Sequence, residues 1–265
     1  MFSMMSRFAK RNVRRSGTCT ARAALVALLL PAAAGAASLP PGFVYLRDVD
    51  PGIVQDMRYA GFNNFTGRPV PGYAAAECVL RREVAEALAK VQADLAAQNL
   101  ALKVYDCYRP TRAVAAFANW ARSADDAATR RFYPKLDKLR LFSLGYIAAH
   151  SAHSEGIAVD LTLVARDAAP AAPFDAHAAY GPCTAPAAQR APDNALDLGT
   201  GFDCFDDKSR TASAGLTREQ QRLRALLVAA MRQRGFHNYF REWWHFSYGA
   251  RRQAKDFPIP ARRPQ

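Results

Sequence analysis

An α+β domain, its central sheet largely antiparallel and flanked by helices, is the fold this sequence predicts, and three observations predict it. Helix signals occur in separate stretches: an apolar stripe at spacings of three and four, a helix start behind a proline, and a capping box. Short β-type runs lie between them without the regular strand–helix alternation of a parallel sheet. Half of the 265 residues are apolar, with no internal repeat and no linker, so the chain can bury one sizeable core and is not a disordered polypeptide.

The first 37 residues stand apart from that domain. Arg7, Lys10, Arg11, Arg14 and Arg15 form a basic head free of acids, Ala23 to Leu30 an apolar run, and Ala32 to Ala37 a small-residue end. That order is a secretory signal peptide, with cleavage between Ala34 and Ala37. Its apolar run falls short of the roughly 20 residues a spanning helix needs, and no later stretch is long or apolar enough to cross a bilayer. Residues 38–265 are then the mature domain, periplasmic or secreted.

Val44 to Met57 holds short β-type runs around Asp50-Pro51-Gly52 and reads as paired strands about a turn. Phe62 to Tyr73, rich in Gly, Asn and Pro, is a structured loop. From Glu77 to Ala97 the stripe Leu80, Val84, Leu88, Val91, Leu95 predicts one amphipathic helix. Leu102 to Tyr105 is a buried strand, and a second helix follows Pro110 from Thr111 to Arg122. Ile157 to Leu163 is an interior strand. Residues 164–200 form an Ala/Pro-rich loop whose length points to a functional role. Thr217 with Gln220 makes a capping box for a helix running to about Arg234 and stopped by Gly235. Phe240 to Tyr248 closes the domain as a strand or bulged strand.

Without the leader, 30 Lys and Arg stand against 23 Asp and Glu, a mature charge of +7. A soluble basic surface accounts for it, and no motif for nucleic-acid binding is present. Cys78, Cys107, Cys183 and Cys204 remain after the leader is removed, an even number bound for an oxidising compartment. Four cysteines allow three pairings, among which sequence does not choose, and buried free thiols are the other possibility. Cys183–Cys204 with Cys78–Cys107 is the working expectation, the first closing the Ala/Pro-rich loop.

The chemistry concentrates in a few places. Asp160 sits inside the interior strand, where a carboxylate is costly unless paired or bound to a metal. His153 precedes it by seven residues, an odd spacing that would put the two on opposite faces of an unbroken strand. A bend at Gly156 lets both face one ion. Near the C-terminus, Glu242-Trp243-Trp244-His245 supplies a further imidazole and a carboxylate, at a spacing that suits a turn or bulge. His153, Asp160 and His245 make a three-ligand site of the kind a catalytic zinc uses. Glu242 is left free to move a proton from water to a departing amine. Arg109, between a buried strand and a helix, is placed to stabilise an oxyanion or to pair with Asp106. His150, His177 and His237 lack such context and are taken as structural or surface residues.

Together these segments resemble the VanX-type D-alanyl-D-alanine dipeptidases, over roughly Tyr45 to Phe257. The resemblance runs in order through Tyr59 and Asn64-Phe65-Thr66-Gly67, then Tyr108-Arg109-Pro110 and Ser151/His153/Gly156/Asp160. It ends with Leu198-Gly199-Thr200-Gly201-Phe202-Asp203 and Glu242-Trp243-Trp244-His245. It implies one zinc ion per chain in a central cleft, held by His153, Asp160 and His245, with Glu242 as acid/base and Arg109 stabilising the transition state. It also implies a small D,D-dipeptide substrate held by Asp203 with Ser151 or Tyr59, the Asp203 carboxylate meeting the free ammonium. The segment between Leu163 and Leu198 is longer than that pattern and carries Cys183. Two other readings stand beside this one: a D,D-carboxypeptidase or L,D-endopeptidase on peptidoglycan stem peptides, and a non-catalytic zinc or cell-wall binding module.

Overall fold

A computed structural model describes residues 38–262. The expected signal peptide lies outside the described residues. The described residues form one compact unit.

Its centre is a five-stranded sheet in the order β2-β4-β5-β7-β6, formed by β2 (Val54–Gln55), β4 (Leu100–Asp106), β5 (Ala158–Ala165), β7 (His245–Tyr248) and β6 (Phe236–Asn238). Every pairing is antiparallel except β2 with β4. A separate antiparallel pair joins β1 (Phe43–Tyr45) to β3 (Val79–Arg81). Four α-helices accompany the sheets among the described residues: α1 (Leu46–Val49), α2 (Arg82–Ala96), α3 (Thr111–Arg122) and α4 (Arg218–Gln233).

β4 and β5 are the buried spine. Apart from their end residues, Leu100 and Ala165, every residue of both strands is buried. That matches the near-continuous apolar run expected of a strand covered on both faces. Against it lies α2, whose Val84, Leu88, Val91 and Leu95 are all inaccessible to solvent. α4 opens with the capping box, Thr217 Oγ1 accepting from the Gln220 amide while the Gln220 side chain accepts from the Thr217 amide. Residues 166–197 leave the sheet as one long irregular segment, and its return is fixed where the Leu196 amide meets the Leu163 carbonyl at 2.9 Å.

Some expectations change. The runs around Asp50-Pro51-Gly52 do not pair with each other: β1 pairs with β3 and β2 with β4, because the turn of α1 separates them and redirects the chain. The turn itself forms, the Gly52 amide donating to Asp50 Oδ1. The helix placed over Glu77 to Ala97 begins only at Arg82. Leu80 belongs to β3, where the backbone pairs with Val44 instead of winding into the helix. The closing segment is a hairpin, β6 and β7 joined by a turn through Glu242, rather than one strand from Phe240. Both disulfides form as expected, Cys78–Cys107 and Cys183–Cys204.

Candidate active site

Three neighbouring strands set the floor of the site. Asp160 on β5 is the register partner of His245 on β7 and of Asp106 at the end of β4. Residues directly opposite across strands project to the same side of a sheet, so all three side chains gather there. His153 reaches them from a 3₁₀ turn, Ala152–Glu155, capped by Ser151, whose hydroxyl accepts from the His153 amide at 3.2 Å. Gly156 ends that turn at φ +75°, and a Cβ there would lie 2.4 Å from the Phe43 ring. Only glycine allows the bend that turns His153 toward the strand it precedes.

The result is a triangle of donor atoms. His153 Nε2 lies 3.1 Å from His245 Nδ1 and 3.2 Å from Asp160 Oδ1, and His245 Nδ1 lies 2.9 Å from Asp160 Oδ1. The other nitrogen of His153 donates to the Cys107 carbonyl at 2.7 Å, which fixes the ring with Nε2 facing His245 and Asp160. Each of the three residues offers one ligand atom to a common point, and together they are a group able to hold a metal ion. Ligands around a tetrahedral ion with bonds of about 2.0–2.1 Å are about 3.4 Å apart, so the triangle fits after a small expansion. Burial works to raise Asp160, but His153 and His245 outweigh it and hold the carboxylate well below its usual range. Burial lowers His245, which favours the neutral, ligating form.

Glu242 stands in the turn before β7, its carbonyl accepting from the His245 amide at 3.2 Å. Burial first, then the charges of Asp160 and Asp203, push its carboxyl well above the ordinary value. A carboxyl so perturbed in a cleft is a candidate to take up and release a proton.

Arg109 does two things at once. Its Nε and Nη2 grip Asp106 Oδ2 at 2.9 and 2.8 Å, and Nη2 also reaches Asp160 Oδ2 at 3.5 Å. The guanidinium rests over the rings of Tyr59 and Phe117. Burial opposes its charge, yet the neighbouring Asp106 keeps it fully protonated. The ion pair with Asp106 and a place in the cleft are therefore compatible.

Asp203 is buried, and its Oδ2 accepts from Tyr59 OH at 2.8 Å. Burial and the nearby Asp160 raise its carboxyl well above the normal range. Tyr59, Arg109, Ser151, His153, Asp160, Asp203, Glu242 and His245 all line one cleft of about 350 Å³. Every residue singled out from the sequence thus meets in a single space. His150 is on the rim of that cleft but exposed, and His177 and His237 are exposed elsewhere.

Sequence reasoning underrated Asp106. It is wholly buried, holds Arg109, lies 3.4 Å from His153 Nδ1 and accepts from Tyr73 OH at 2.6 Å. A carboxylate at the end of a buried strand, three residues before an arginine, was the available signal. The apolar wall made by Phe65, Phe117, Ile147 and Phe205 was not signalled, because its members come from unrelated segments.

A buried imidazole–carboxylate triangle with a perturbed glutamate and a fixed arginine in one cleft defines a metal-dependent hydrolase. Comparison with known proteins narrows the class. The family described as D-Ala-D-Ala dipeptidase matches residues 40–173 and 186–260. A D-alanyl-D-alanine dipeptidase of Enterococcus faecium is 34% identical over 206 residues, which is 77% of this chain and 90% of that protein. Proteins of the same name from Streptomyces coelicolor and Escherichia coli are 32% and 30% identical, covering 77% and 82% of this chain and 90% and 89% of their own. The chain belongs to the D-Ala-D-Ala dipeptidase family of metallopeptidases.

Proposed function

We propose that the chain is a zinc-dependent dipeptidase that hydrolyses D-alanyl-D-alanine to two D-alanines. The observation that carries the reading is the convergence, in one cleft, of the His153–Asp160–His245 triangle with Glu242, Arg109, Asp203 and Tyr59. Family membership supports the substrate, since the relatives named above are D-alanyl-D-alanine dipeptidases.

His153, Asp160 and His245 would hold the zinc ion, two imidazoles and a carboxylate being a donor set that zinc favours. When bound, the ion supplies Lewis-acid polarisation of the peptide carbonyl and acidifies water. The remaining chemistry belongs to the chain. Glu242 accepts a proton from the attacking water and returns it to the amide nitrogen as the C–N bond breaks. Arg109, held by Asp106, presents a fixed positive charge to the oxygen on which negative charge develops. Asp203 receives the substrate ammonium, a cation that compensates the cost of its own burial, with Tyr59 OH steadying the carboxylate. Ser151 lines the cleft while its hydroxyl holds the turn that carries His153. The presence of Glu242 and Arg109 beside the metal ligands argues against a binding module that has lost its chemistry.

We also read residues 1–37 as a cleaved export signal and residues 38–265 as a periplasmic or secreted catalytic domain. The basic head, short apolar run and small-residue end support this, as do two disulfides in the mature chain.

The test is release of free D-Ala by the zinc-loaded mature protein from D-Ala-D-Ala and from a stem pentapeptide, with and without a chelator. Cleavage of the dipeptide alone, lost on chelation, is the expected result. Cleavage of the pentapeptide would reassign the protein to the D,D-carboxypeptidases. Cleavage of neither, with zinc bound, would overturn the substrate.

A further inference from the structure

The long segment after β5 contains a stretch, residues 174–185, that falls between the two blocks matched by the family. It lies outside the matched pattern, and it carries Cys183. Cys183 is buried, its amide donating to the Arg131 carbonyl at 2.8 Å. From that anchored position it holds the segment bearing Asp203 at two points. Its carbonyl accepts from the Gly201 amide at 2.8 Å, two residues before Asp203. Its sulfur is bonded to that of Cys204, the residue immediately after Asp203.

What lies between those two points needs holding. Asp203 sits at φ +56°, in the left-handed region that a residue with a side chain enters at a cost. Such conformations persist where the surroundings over-determine them, and they cluster at ligand-binding positions. Here the neighbours do so from both sides: Phe202 stacks on Tyr105 with ring centres 4.7 Å apart, and the Phe205 amide donates to the Phe132 carbonyl at 2.8 Å. The left-handed turn is also what lets the Asp203 carboxylate face the cleft and meet Tyr59 while Phe202, Cys204 and Phe205 stay buried.

We infer that Cys183, on its inserted loop, is a positioning residue for Asp203, clamping the backbone at Gly201 and Cys204 so that the ammonium-binding carboxylate is preset before substrate arrives. The inference rests on the dipeptidase reading and on Asp203 as the ammonium partner. Its consequence is that substrate affinity depends on an oxidised Cys183–Cys204 bond. The metal triangle is carried by β5, β7 and the 3₁₀ turn, outside the two points that Cys183 clamps.

The experiment is a cycle on the zinc-loaded mature enzyme: wild type, the pair Cys183→Ala/Cys204→Ala, Asp203→Asn, and all three changes together. Steady-state kinetics with D-Ala-D-Ala and zinc affinity by chelator competition are read for each. Cutting the disulfide should raise KM about tenfold, the scale of a released left-handed residue, with kcat within about twofold and zinc affinity unchanged. In the Asp203→Asn background the same cut should add nothing, because the group it positions is gone. Should the alanine pair fail to fold, Cys183→Val/Cys204→Ala keeps apolar volume in place of the Cys183 sulfur and is assayed the same way. An unchanged KM after the cut, or an equal rise in the Asp203→Asn background, would overturn the inference. If Asp203→Asn by itself leaves KM unaltered, it is the assignment of Asp203 that fails, and wild-type inactivity on the dipeptide would remove the reading beneath both.

Discussion

Replacing Asp106 with Asn tests whether the site is held together by a buried charge. The carboxylate is inaccessible to solvent and takes short hydrogen bonds from Tyr73 OH at 2.6 Å and from Arg109 Nε at 2.9 Å, with Arg109 Nη2 in ion-pair contact at 2.8 Å. Asparagine preserves the shape, so no cavity opens and the loss is electrostatic. Breaking one side of a buried ion pair costs about 3–5 kcal/mol. Arg109 keeps a second carboxylate, Asp160, at 3.5 Å, which places the expected loss near the lower end, about 3 kcal/mol. For a chain of this size that corresponds to a melting temperature lower by roughly 6–12 °C. The assay is thermal and urea unfolding of the metal-loaded protein, as a cycle with Arg109→Met and the double variant. The singles should couple by about 2 kcal/mol, because each removes the same pair. Activity should fall by roughly 10–100-fold, the usual consequence of loosening a group that orients a catalytic one. Burial is the largest influence on Asp106 and pushes its carboxyl up, whereas the strongly raised Arg109 speaks for a charged pair. The two short guanidinium contacts favour the charged pair. A stability loss below about 1 kcal/mol with additive singles would refute it and mean that the carboxyl is neutral in the fold.

Four further outcomes follow from the structure. Glu242→Gln should leave metal affinity intact and lower kcat by about 10²–10⁴-fold, checked by single-turnover kinetics beside a metal titration. In the metal-free protein the same substitution should change the pH dependence of stability. A carboxyl raised on folding contributes stability below its unfolded value of about 4.3 and loses it as pH rises toward the folded value. Urea midpoints of the wild type should therefore fall above about pH 4.3 more steeply than those of Glu242→Gln. His153→Ala should abolish stoichiometric metal binding, read by chelator competition, while secondary structure by circular dichroism is kept, because β5 and β7 pair without it. Arg224→Lys should cost about 3 kcal/mol in urea unfolding, since the buried guanidinium bridges the carbonyls of Leu198, Lys208 and Arg210, which an ammonium cannot span at once.

Much of this protein was legible in the chain order of its residues. The capping box of α4, the helix behind Pro110 and the buried strands of β4 and β5 rest on local signals, and local signals are what a sequence displays. The bend at Gly156 belongs with them: an odd spacing between His153 and a strand carboxylate needs a glycine, and one is there at φ +75°. So do the candidate site residues, whose chemistry is expensive to bury without purpose. What the sequence could not decide was partnership across long separations. Leu80 is as apolar as Leu88, yet it pairs with Val44 in a strand because a partner edge was available, while Leu88 turns into a helix. Asp106 reads as an ordinary neighbour of Arg109 until the register of β4 against β5 sets it beside Asp160 and His153. The cleft's apolar wall, the three carbonyls on Arg224 and the grip of Cys183 on both sides of Asp203 arise only when distant segments meet. Composition and spacing determine which elements form and which side chains are costly to bury; the packing of those elements decides which of the costly groups face one another.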